Sequence, residues 1–391
     1  MQGKSNKIWQ SYNNFFESFL PRRRFFYEDY LAVVRRHNTK FAENIEGFSV
    51  EGRAIHSYTI GTGKTNVLLW SQMHGNEPSS TLALLDVMNF LETVSALPLL
   101  KSVTICAVPM LNPDGNEVFT RRNAMGIDLN RDARNLTAPE SLILKNLHTR
   151  IKPQFAFNMH DQELYYTTAP QRKQTLISFL APKYNVEGDT NDIRLNAIKL
   201  IATAREFIEP FAPNTIAKYN DRFTPNAFGD NMMLWGTSSI LVECGSAPND
   251  IERTSSRRAA AMSIIKMIKA IASKEYLKAD PELYYTIPDN IRDNTFDLKI
   301  SNISITMPHC KPFRADIGIR RYKGIDIEDF ADYSNEYRVE GFGDLADFGG
   351  IKTYDGAQSS IEIQQAIKPG CLANFTITQN NGTQISVNQL Y

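Results

Sequence analysis

The sequence has few of the features that mark disulfide scaffolds, membrane proteins or nucleic-acid-binding proteins. Its four cysteines are widely spaced over 391 residues and none lies in a C-x-x-C pair, so they do not make a disulfide framework. Basic and acidic residues balance at 43 each, which leaves no electrostatic attraction for nucleic acid or an anionic membrane. No apolar run has the length of a membrane-spanning helix. We therefore expect neither nucleic acid nor a membrane as a partner.

The N-terminal residues give the expectation for cellular location. Residues 1–20 lack a cationic start followed by an apolar core, so no signal peptide is evident. Cys106 and Cys244 lie in apolar, strand-like runs, where a thiol is most often a small core residue. Both observations favour a reducing, cytoplasmic location, with secretion open if a leader has been trimmed. The short basic cluster Arg22-Arg23-Arg24 is interpreted as a solvated face.

The order of apolar segments predicts an α/β fold. Residues 1–45 read as an aromatic-rich helical segment that packs onto the body of the protein. Beyond it, short apolar runs alternate with longer helical ones, which favours a mainly parallel or mixed sheet covered by helices on both faces. The predicted strands are 67–73, 103–110, 155–159 and 239–244, and the predicted helices are 79–94, 139–150, 191–207 and 251–272.

The character of the chain changes near its C-terminal third. After about residue 278 helical periodicity ends, and short β-like runs follow at 300–306, 315–319, 360–367 and 374–378. We expect a catalytic domain at 46–278 and a β-rich accessory domain at 279–391. No segment of the latter carries an interpretable motif.

Polar residues gather where the predicted strands end. His74 and Glu77 follow the first of these strands, and a His and a Glu three apart can turn toward one point. With a third ligand and one open position, such a pair makes a catalytic zinc site. Asn112, His160 and Glu243 also lie at or just past strand ends, where ligands bind in such sheets. The coincidence predicts one shared site.

Five motifs in order resemble those of the zinc carboxypeptidase family of metallopeptidases (M14). They are His74-Gly75-Asn76-Glu77, Asn112-Pro113-Asp114-Gly115, the run from Arg121 to Arg131, Phe157-Asn158-Met159-His160, and Ile240-Leu241-Val242-Glu243-Cys244-Gly245. The resemblance covers about residues 50–275. It implies a zinc-dependent removal of C-terminal residues from peptides.

The resemblance also implies a metal site. His74, Glu77 and His160 would hold one Zn²⁺ per chain, and the open fourth position would take a water whose pKa falls toward ~7. Asp128 would accept the other N–H of His74 and fix its orientation. The remaining histidines are expected to be structural or on the surface; these are His37, His56, His148 and His309.

Further roles follow from the same resemblance. Glu243 would be the general base, and Arg121 would polarise the carbonyl, with its neighbour Arg122 as the alternative. Asn130 and Arg131 would bind the terminal carboxylate of the substrate, because a guanidinium fork matches two carboxylate oxygens. The motif Asn112-Pro113-Asp114-Gly115 predicts a turn that shapes the pocket wall.

The sequence departs from the family pattern at three places. Asp132-Ala133 stands where Asn and an aromatic residue are usual, and Asp161 stands where Ser usually follows the third ligand. Asp161 can support a ligand, bind a substrate amine or be a loop residue. The mobile tyrosine of the family has no clear counterpart, and Tyr219 is the possible occupant, as a substrate-binding residue.

Two other functions stay open. The interval between the zinc histidines is 86 residues (160 − 74), which is short for the digestive carboxypeptidases. It is closer to the interval in the aspartoacylase and succinylglutamate desuccinylase branch, whose members hydrolyse N-acyl amino acids. The tyrosine and Asp132-Ala133 departures leave a non-catalytic binding module as the third hypothesis. The expected partner is thus a peptide or an N-acyl amino acid with a free carboxylate, and the sequence does not indicate an oligomeric state.

Overall fold

The computed structural model of the chain describes residues 8–37, 39–321 and 336–390. These residues form two compact units. The larger contains the chain up to Leu164 together with Thr175–Asn290, and the smaller contains Tyr165–Gln174 and the chain from Ile291 onward. Nothing in the sequence indicates that Tyr165–Gln174 belongs with the C-terminal, β-rich residues. The functional division into domains at about residue 279 stays a prediction.

The larger unit is built on a mixed sheet of eight strands. In chain order the first nine strands that the structure describes are β1 (Ala42–Phe48), β2 (Ala54–Gly61), β3 (Thr65–Trp70), β4 (Val103–Val108), β5 (Phe155–Asp161), β6 (Tyr166–Thr168), β7 (Ile177–Leu180), β8 (Ile216–Lys218) and β9 (Ser238–Cys244). All except β6 belong to this sheet, in the order β1-β2-β4-β3-β5-β9-β7-β8. Strands β4, β3, β5 and β9 are parallel, and β2 and β7 flank them antiparallel.

Helices connect the strands of the sheet. They are α1 (Tyr27–His37), α2 (Pro78–Leu91), α3 (Leu97–Leu100), α4 (Pro113–Glu117), α5 (Pro139–Ile151), α6 (Asp192–Ile208), α7 (Phe228–Leu234), α8 (Thr254–Ser273) and α9 (Glu282–Tyr285). Helix α8 begins three residues later than predicted, because the Asp250 carboxylate accepts the N–H groups of Thr254 and Ser255 and caps the helix there. Among the described residues no single helix is long and apolar enough to cross a membrane; only α2 with Val94–Leu100, a pair bent by 83°, reaches that length and composition.

Hydrophobic side chains cover both faces of the sheet. The side chains of successive residues in a strand point to opposite faces of the sheet. Strand β3 shows this alternation, because Val67 and Leu69 belong to one buried cluster, whereas Leu68 and Trp70 belong to another. The first cluster includes apolar residues of α2, α6 and α8, and the second includes residues of α5 and α7. The predicted fold class, a mixed sheet covered by helices on both faces, is confirmed.

A buried ion pair of the larger unit contacts the N-terminal segment. Asp86 of α2 receives two hydrogen bonds from Arg257 of α8, at 2.6 and 2.7 Å. The Tyr12 hydroxyl donates to the same carboxylate at 2.6 Å, and Arg257 donates to the carbonyl oxygen of Glu17 at 2.9 Å.

Strand β1 lies partly in the region predicted to be helical. Most of its side chains are exposed, so its sequence lacks the apolar alternation of a half-buried strand.

The smaller unit is a β-structure with its own core. Its further strands are β10 (Asn290–Arg292), β11 (Thr295–Thr306), β12 (Phe313–Arg321), β13 (Tyr337–Gly343), β14 (Gly349–Asp355), β15 (Ser359–Glu362), β16 (Thr376–Gln379) and β17 (Gln384–Ser386). They form a sheet in the order β13-β12-β11-β15-β16-β17, with β14 paired to β11, while β10 pairs with β6. Isoleucines such as Ile300, Ile317 and Ile377 are fully buried in it. The β-rich character expected from the sequence is confirmed.

Removing one partner of the buried pair should destabilise the larger unit strongly. Arg257→Met leaves the Asp86 carboxylate buried without its counter-charge, which costs about 3–5 kcal/mol. Urea denaturation followed by circular dichroism measures the loss. The double variant Asp86→Leu/Arg257→Met removes both charges and should recover most of it. A single variant as stable as the wild type would contradict this role of the pair.

Candidate metal centre

Three parallel strands bring the predicted site residues to one edge of the sheet. Strands β3, β5 and β9 are adjacent and run in the same direction. His74 lies in the loop that follows β3, and His160 lies near the end of β5. Glu243 is the register partner of His160 on β9. Neighbouring strand ends therefore collect residues that are far apart in the chain.

His74, Glu77 and His160 converge on one point. Nδ1 of His74 lies 2.7 Å from Oε1 of Glu77, and Nδ1 of His160 lies 2.7 Å from Oε2 of the same carboxylate. The two Nδ1 atoms are 3.2 Å apart, and the ligand atoms of all three residues lie within 4.8 Å of one another. Two imidazole nitrogens and one carboxylate are a donor set of catalytic zinc sites. The residues present therefore fit a zinc ion.

The cluster is buried and strongly polar. Burial alone would raise the pKa of the Glu77 carboxyl, but the two imidazoles hold that pKa well below its ordinary value. Glu77 also accepts a hydrogen bond from Nη1 of Arg121 at 3.2 Å and another from the backbone N–H of Asp161, also at 3.2 Å. The carboxylate is thus kept ionised and oriented, as a metal ligand must be.

Asp128 makes the contact that was expected of it. Its Oδ1 lies 3.1 Å from Nε2 of His74, the nitrogen on the far side of the ring from the cluster. An N–H donated there leaves the Nδ1 lone pair free for a metal. Burial would raise the pKa of Asp128, but its contacts with His74 and Arg121 hold that pKa far below its usual range.

Of the two adjacent arginines, the structure brings Arg121 to the cluster. Its Nε donates to Oδ2 of Asp128 at 3.0 Å, and its Nη1 lies 3.2 Å from both Glu77 Oε1 and His74 Nδ1. Its side chain is 43% exposed, so the guanidinium also faces the outside of the cluster. Arg122 instead donates to the carbonyl oxygen of Gly126 in its own loop, at 2.8 Å. Arg121 thus contacts the cluster and Arg122 does not; the predicted role of Arg121 in polarising the carbonyl stays a prediction.

Asn130 and Arg131 lie on the same loop but face different surroundings. Nδ2 of Asn130 lies 3.3 Å from Nε2 of His160, and its Oδ1 accepts the N–H of Phe228 at 3.0 Å. Arg131 is exposed, donates to the carbonyl oxygen of Asn130 at 2.6 Å, and lines an open cleft of about 430 Å³. Asn130 therefore joins the cluster, whereas Arg131 faces the cleft beside it.

Glu243 is a buried carboxyl beside the cluster. Burial, together with the negative charges of Glu77 and Asp161, raises its pKa well above the ordinary value. No hydrogen bond of its carboxyl group is found within the described part of the chain. A carboxyl group with a raised pKa and free oxygens can accept a proton from a nearby molecule. A bound dication would lower that pKa again, since it favours the charged form.

Asp161 supports the metal site, and the sequence left this role among several. Its carboxylate accepts the backbone N–H groups of Ser79 and Ser80, at 2.8 and 2.7 Å. Those groups belong to the first turn of α2, which begins directly after Glu77. An aspartate there satisfies free N–H groups and complements the helix dipole. Asp161 therefore fixes the position of Glu77 from the neighbouring strand.

The interpretation of Arg22-Arg23-Arg24 as a solvated face is wrong for two of its three residues. Nη2 of Arg23 lies 3.5 Å from Oδ2 of Asp161, and its Nε donates to Oγ of Ser79 at 2.9 Å. Arg24 donates to the backbone carbonyl oxygens of Asn116 and Glu117. Only Arg22 is exposed. Long-range partners, which no local charge pattern reveals, hold the other two.

The turn predicted at Asn112 determines the path of the histidine loop. Oδ1 of Asn112 accepts the N–H of Gly115 at 2.9 Å, and its Nδ2 donates to the carbonyl oxygen of Met73 at 3.2 Å. Gly75 packs so closely on this turn that a Cβ atom there would lie 1.9 Å from the carbonyl carbon of Gly115. The glycine of the first motif is needed because the second motif approaches it.

Tyr219 lies away from the central strands. It follows β8, the edge strand, and its backbone N–H donates to the carbonyl oxygen of Phe179 at 2.9 Å. In the sheet order β8 is the third strand from β5. Its role in substrate binding stays a prediction.

Sequence comparisons show similarity to known carboxypeptidases. Residues 27–173 match the family described as zinc carboxypeptidase (peptidase M14). Carboxypeptidase 2 of Trichophyton rubrum is 29% identical over 154 residues, which are 36% of this chain and 29% of that protein. The chain spans about a third of the length of the curated relatives it matches. Glu243 lies outside the segment that matches the family.

Solved structures show the same fold. The metallo-carboxypeptidase from Burkholderia cenocepacia aligns with a TM-score of 0.51 and 18% identity, over 66% of this chain and 70% of that chain. The metallo-carboxypeptidase from Pseudomonas aeruginosa aligns with a TM-score of 0.52 and 16% identity, over 66% and 71%. The resemblance predicted from the sequence motifs is confirmed.

Weakening the support at Asp161 should lower metal affinity. Asp161→Ala removes the acceptor for two N–H groups of α2 and frees the helix start that carries Glu77. We expect zinc to bind about 10–100-fold more weakly, as for other residues that orient ligands. Competition with a chromogenic chelator measures the affinity.

Asp250→Ala is the matched control, because it removes the acceptor for two N–H groups at the start of α8, a helix that does not follow a ligand. It should leave zinc affinity unchanged. Equal affinity in wild type and Asp161→Ala would show that Asp161 does not position the ligand.

Proposed function

We propose that this chain, which matches the zinc carboxypeptidase family over residues 27–173, is a zinc-dependent hydrolase that removes the C-terminal residue of peptides. The observation that carries the proposal is the convergence of His74, Glu77 and His160 at the end of two parallel strands. Asp128, Arg121 and Asn130 contact these ligands directly. The sequence motifs imply a carbonyl-polarising role for Arg121, a substrate-binding role for Asn130 and a role in orienting His74 for Asp128.

Three side chains would hold the metal. They are Nδ1 of His74, the Glu77 carboxylate and Nδ1 of His160, with one zinc ion per chain. When bound, zinc supplies a Lewis acid that lowers the pKa of water toward ~7 and polarises a carbonyl group. Asp128 keeps the Nε2–H of His74 engaged, so that the ring presents Nδ1.

Glu243 would move the proton. As the water oxygen adds to the scissile carbonyl carbon, a proton passes from the water to the Glu243 carboxylate. The C–N bond then breaks, and the same proton passes to the departing nitrogen. The second proton of the water is released from the new carboxyl group and protonates the free amine, so the products are a shortened peptide with a new carboxylate and a free amino acid. The position of Glu243 supports this role, because it is the register partner of His160 and no hydrogen bond of its carboxyl group is found among the described residues.

Two other groups would bind the reacting molecule. The exposed side of the Arg121 guanidinium can donate to the carbonyl oxygen as negative charge develops on it. Asn130 and Arg131 would bind the terminal carboxylate, because an amide and a guanidinium both donate to carboxylate oxygens. Arg131 has no ion-pair partner within the described residues, which leaves its guanidinium available.

A substrate panel tests the reaction class. Zinc-loaded protein, with and without chelator, is given peptides with a free C-terminus, the same peptides as C-terminal amides, and N-acyl amino acids. We expect chelator-sensitive cleavage of the free acids and not of the amides, since the amide lacks the anchoring charge. Preferential hydrolysis of N-acyl amino acids would replace the proposal with a deacylase. No turnover of any compound would favour a binding module.

Removing the proposed base should reduce turnover and leave the metal in place. Glu243→Gln keeps the size of the side chain but cannot accept the proton, so kcat should fall by ~10²-fold or more. Zinc content, measured on the same sample by atomic absorption, should equal that of the wild type. Wild-type turnover with zinc bound would contradict the role of Glu243.

A further inference from the structure

The open cleft beside the metal centre has a cationic wall. It measures about 430 Å³ and is lined by Arg131, Arg134, Asn135, Pro225 and Asn226. Two of the five lining residues carry a positive charge, two are neutral amides, and none is a carboxylate. Arg134 is exposed and lies outside the motifs that resemble the zinc carboxypeptidases. A cleft of this composition suits an anion.

Two carboxylates close to Arg131 accept backbone N–H groups, although the positive charge of Arg131 also acts on one of them, Asp230. Asp132, between the two arginines in sequence, accepts the N–H groups of Thr137 and Ala138 at 2.9 and 2.8 Å, and so caps the start of α5. Asp230 accepts the N–H of Thr224 at 2.9 Å, and its burial raises its pKa to about 6. Within the described part of the chain, neither Arg131 nor Arg134 forms an ion pair.

The cleft adjoins the metal centre through one loop. Asp128 and Asn130 contact His74 and His160, and Arg131 follows directly in the chain. The loop is tied to the opposite wall, because the N–H of Ala133 donates to the carbonyl oxygen of Asn226 at 3.1 Å. A molecule held at Arg131 therefore has Arg134 within the same cleft.

We propose that this cleft binds substrates with two carboxylates, one at Arg131 and a second at Arg134, so that the enzyme prefers peptides that end in Glu or Asp. The inference rests on the proposed function for the first carboxylate. Arg134 supplies the selectivity, since a guanidinium pairs with a side-chain carboxylate through two parallel hydrogen bonds. The isosteric amide of Gln cannot form that ion pair. N-acylated Glu and Asp share the same chemistry and are tested beside the peptides.

The first experiment compares kcat/KM for peptides that differ only in the last residue: Glu, Gln, Leu or Lys. For the zinc-loaded protein we expect Glu to exceed Gln by about two- to fivefold, the order expected for one ion pair at an exposed site. Arg134→Gln should bring the ratio of Glu to Gln close to one, and Arg134→Lys should keep part of it. Arg35 is an exposed arginine of α1. Arg35→Gln is the control for a general effect of removing one positive charge from the protein. Hydrolysis of N-acetyl-Glu is measured beside the peptides. It shows whether the enzyme releases Glu from peptides or from an N-acyl amino acid.

A second readout does not need turnover. Isothermal titration calorimetry measures the binding of glutarate and of butyrate. Glutarate has a carboxylate at each end of a short chain, whereas butyrate has only one carboxylate. We expect glutarate to bind more tightly, with the difference lost in Arg134→Gln. Peptide hydrolysis without preference for Glu, together with equal binding of glutarate and butyrate, would overturn the inference and leave the proposed function intact. Absence of hydrolysis together with Arg134-dependent glutarate binding would support the acid site and overturn the proposed function.

Discussion

Parallel pairing of β3, β5 and β9 is the constraint on which the metal centre depends. The three strands deliver His74, His160 and Glu243 to one edge of the sheet, and the register pairs His160 directly with Glu243. A shift of β5 by one residue would turn His160 to the other face. The loop after β3 adds a second constraint, since Gly75 must pack against Gly115 for His74 to reach the same point.

Carboxylates around the site have separate tasks because each has different neighbours. Glu77 faces two imidazoles and stays ionised, Asp128 accepts from the far nitrogen of His74, and Asp161 caps the helix that follows Glu77. Glu243 has no such partner among the described residues, and its pKa is raised. Different neighbours thus distinguish the carboxylates that would hold or support a metal from Glu243, which would take up a proton. Arg121 and Arg23 offset part of the negative charge.

The sequence predicted the parts of the structure that have a local signal. Apolar runs such as 67–73 mark central strands, and His74 with Glu77 marks a strand end with ligand chemistry. The positions of Arg23 and Asp161 could not be predicted in this way, because their contact joins the N-terminal segment to β5 and leaves no periodic pattern. Strand β1 was missed since its side chains are mostly exposed. Segment 165–174 was missed because its pairing partner, β10, lies far along the chain.

X-ray absorption spectroscopy of the zinc-loaded protein tests the metal centre most directly. The account predicts one zinc ion per chain, with two imidazole nitrogens at about 2.0–2.1 Å and carboxylate or water oxygens at about 2.0–2.2 Å. It also predicts that His160→Ala reduces the imidazole count from two to one. A first shell without imidazole, or one that contains sulfur from cysteine, would contradict it.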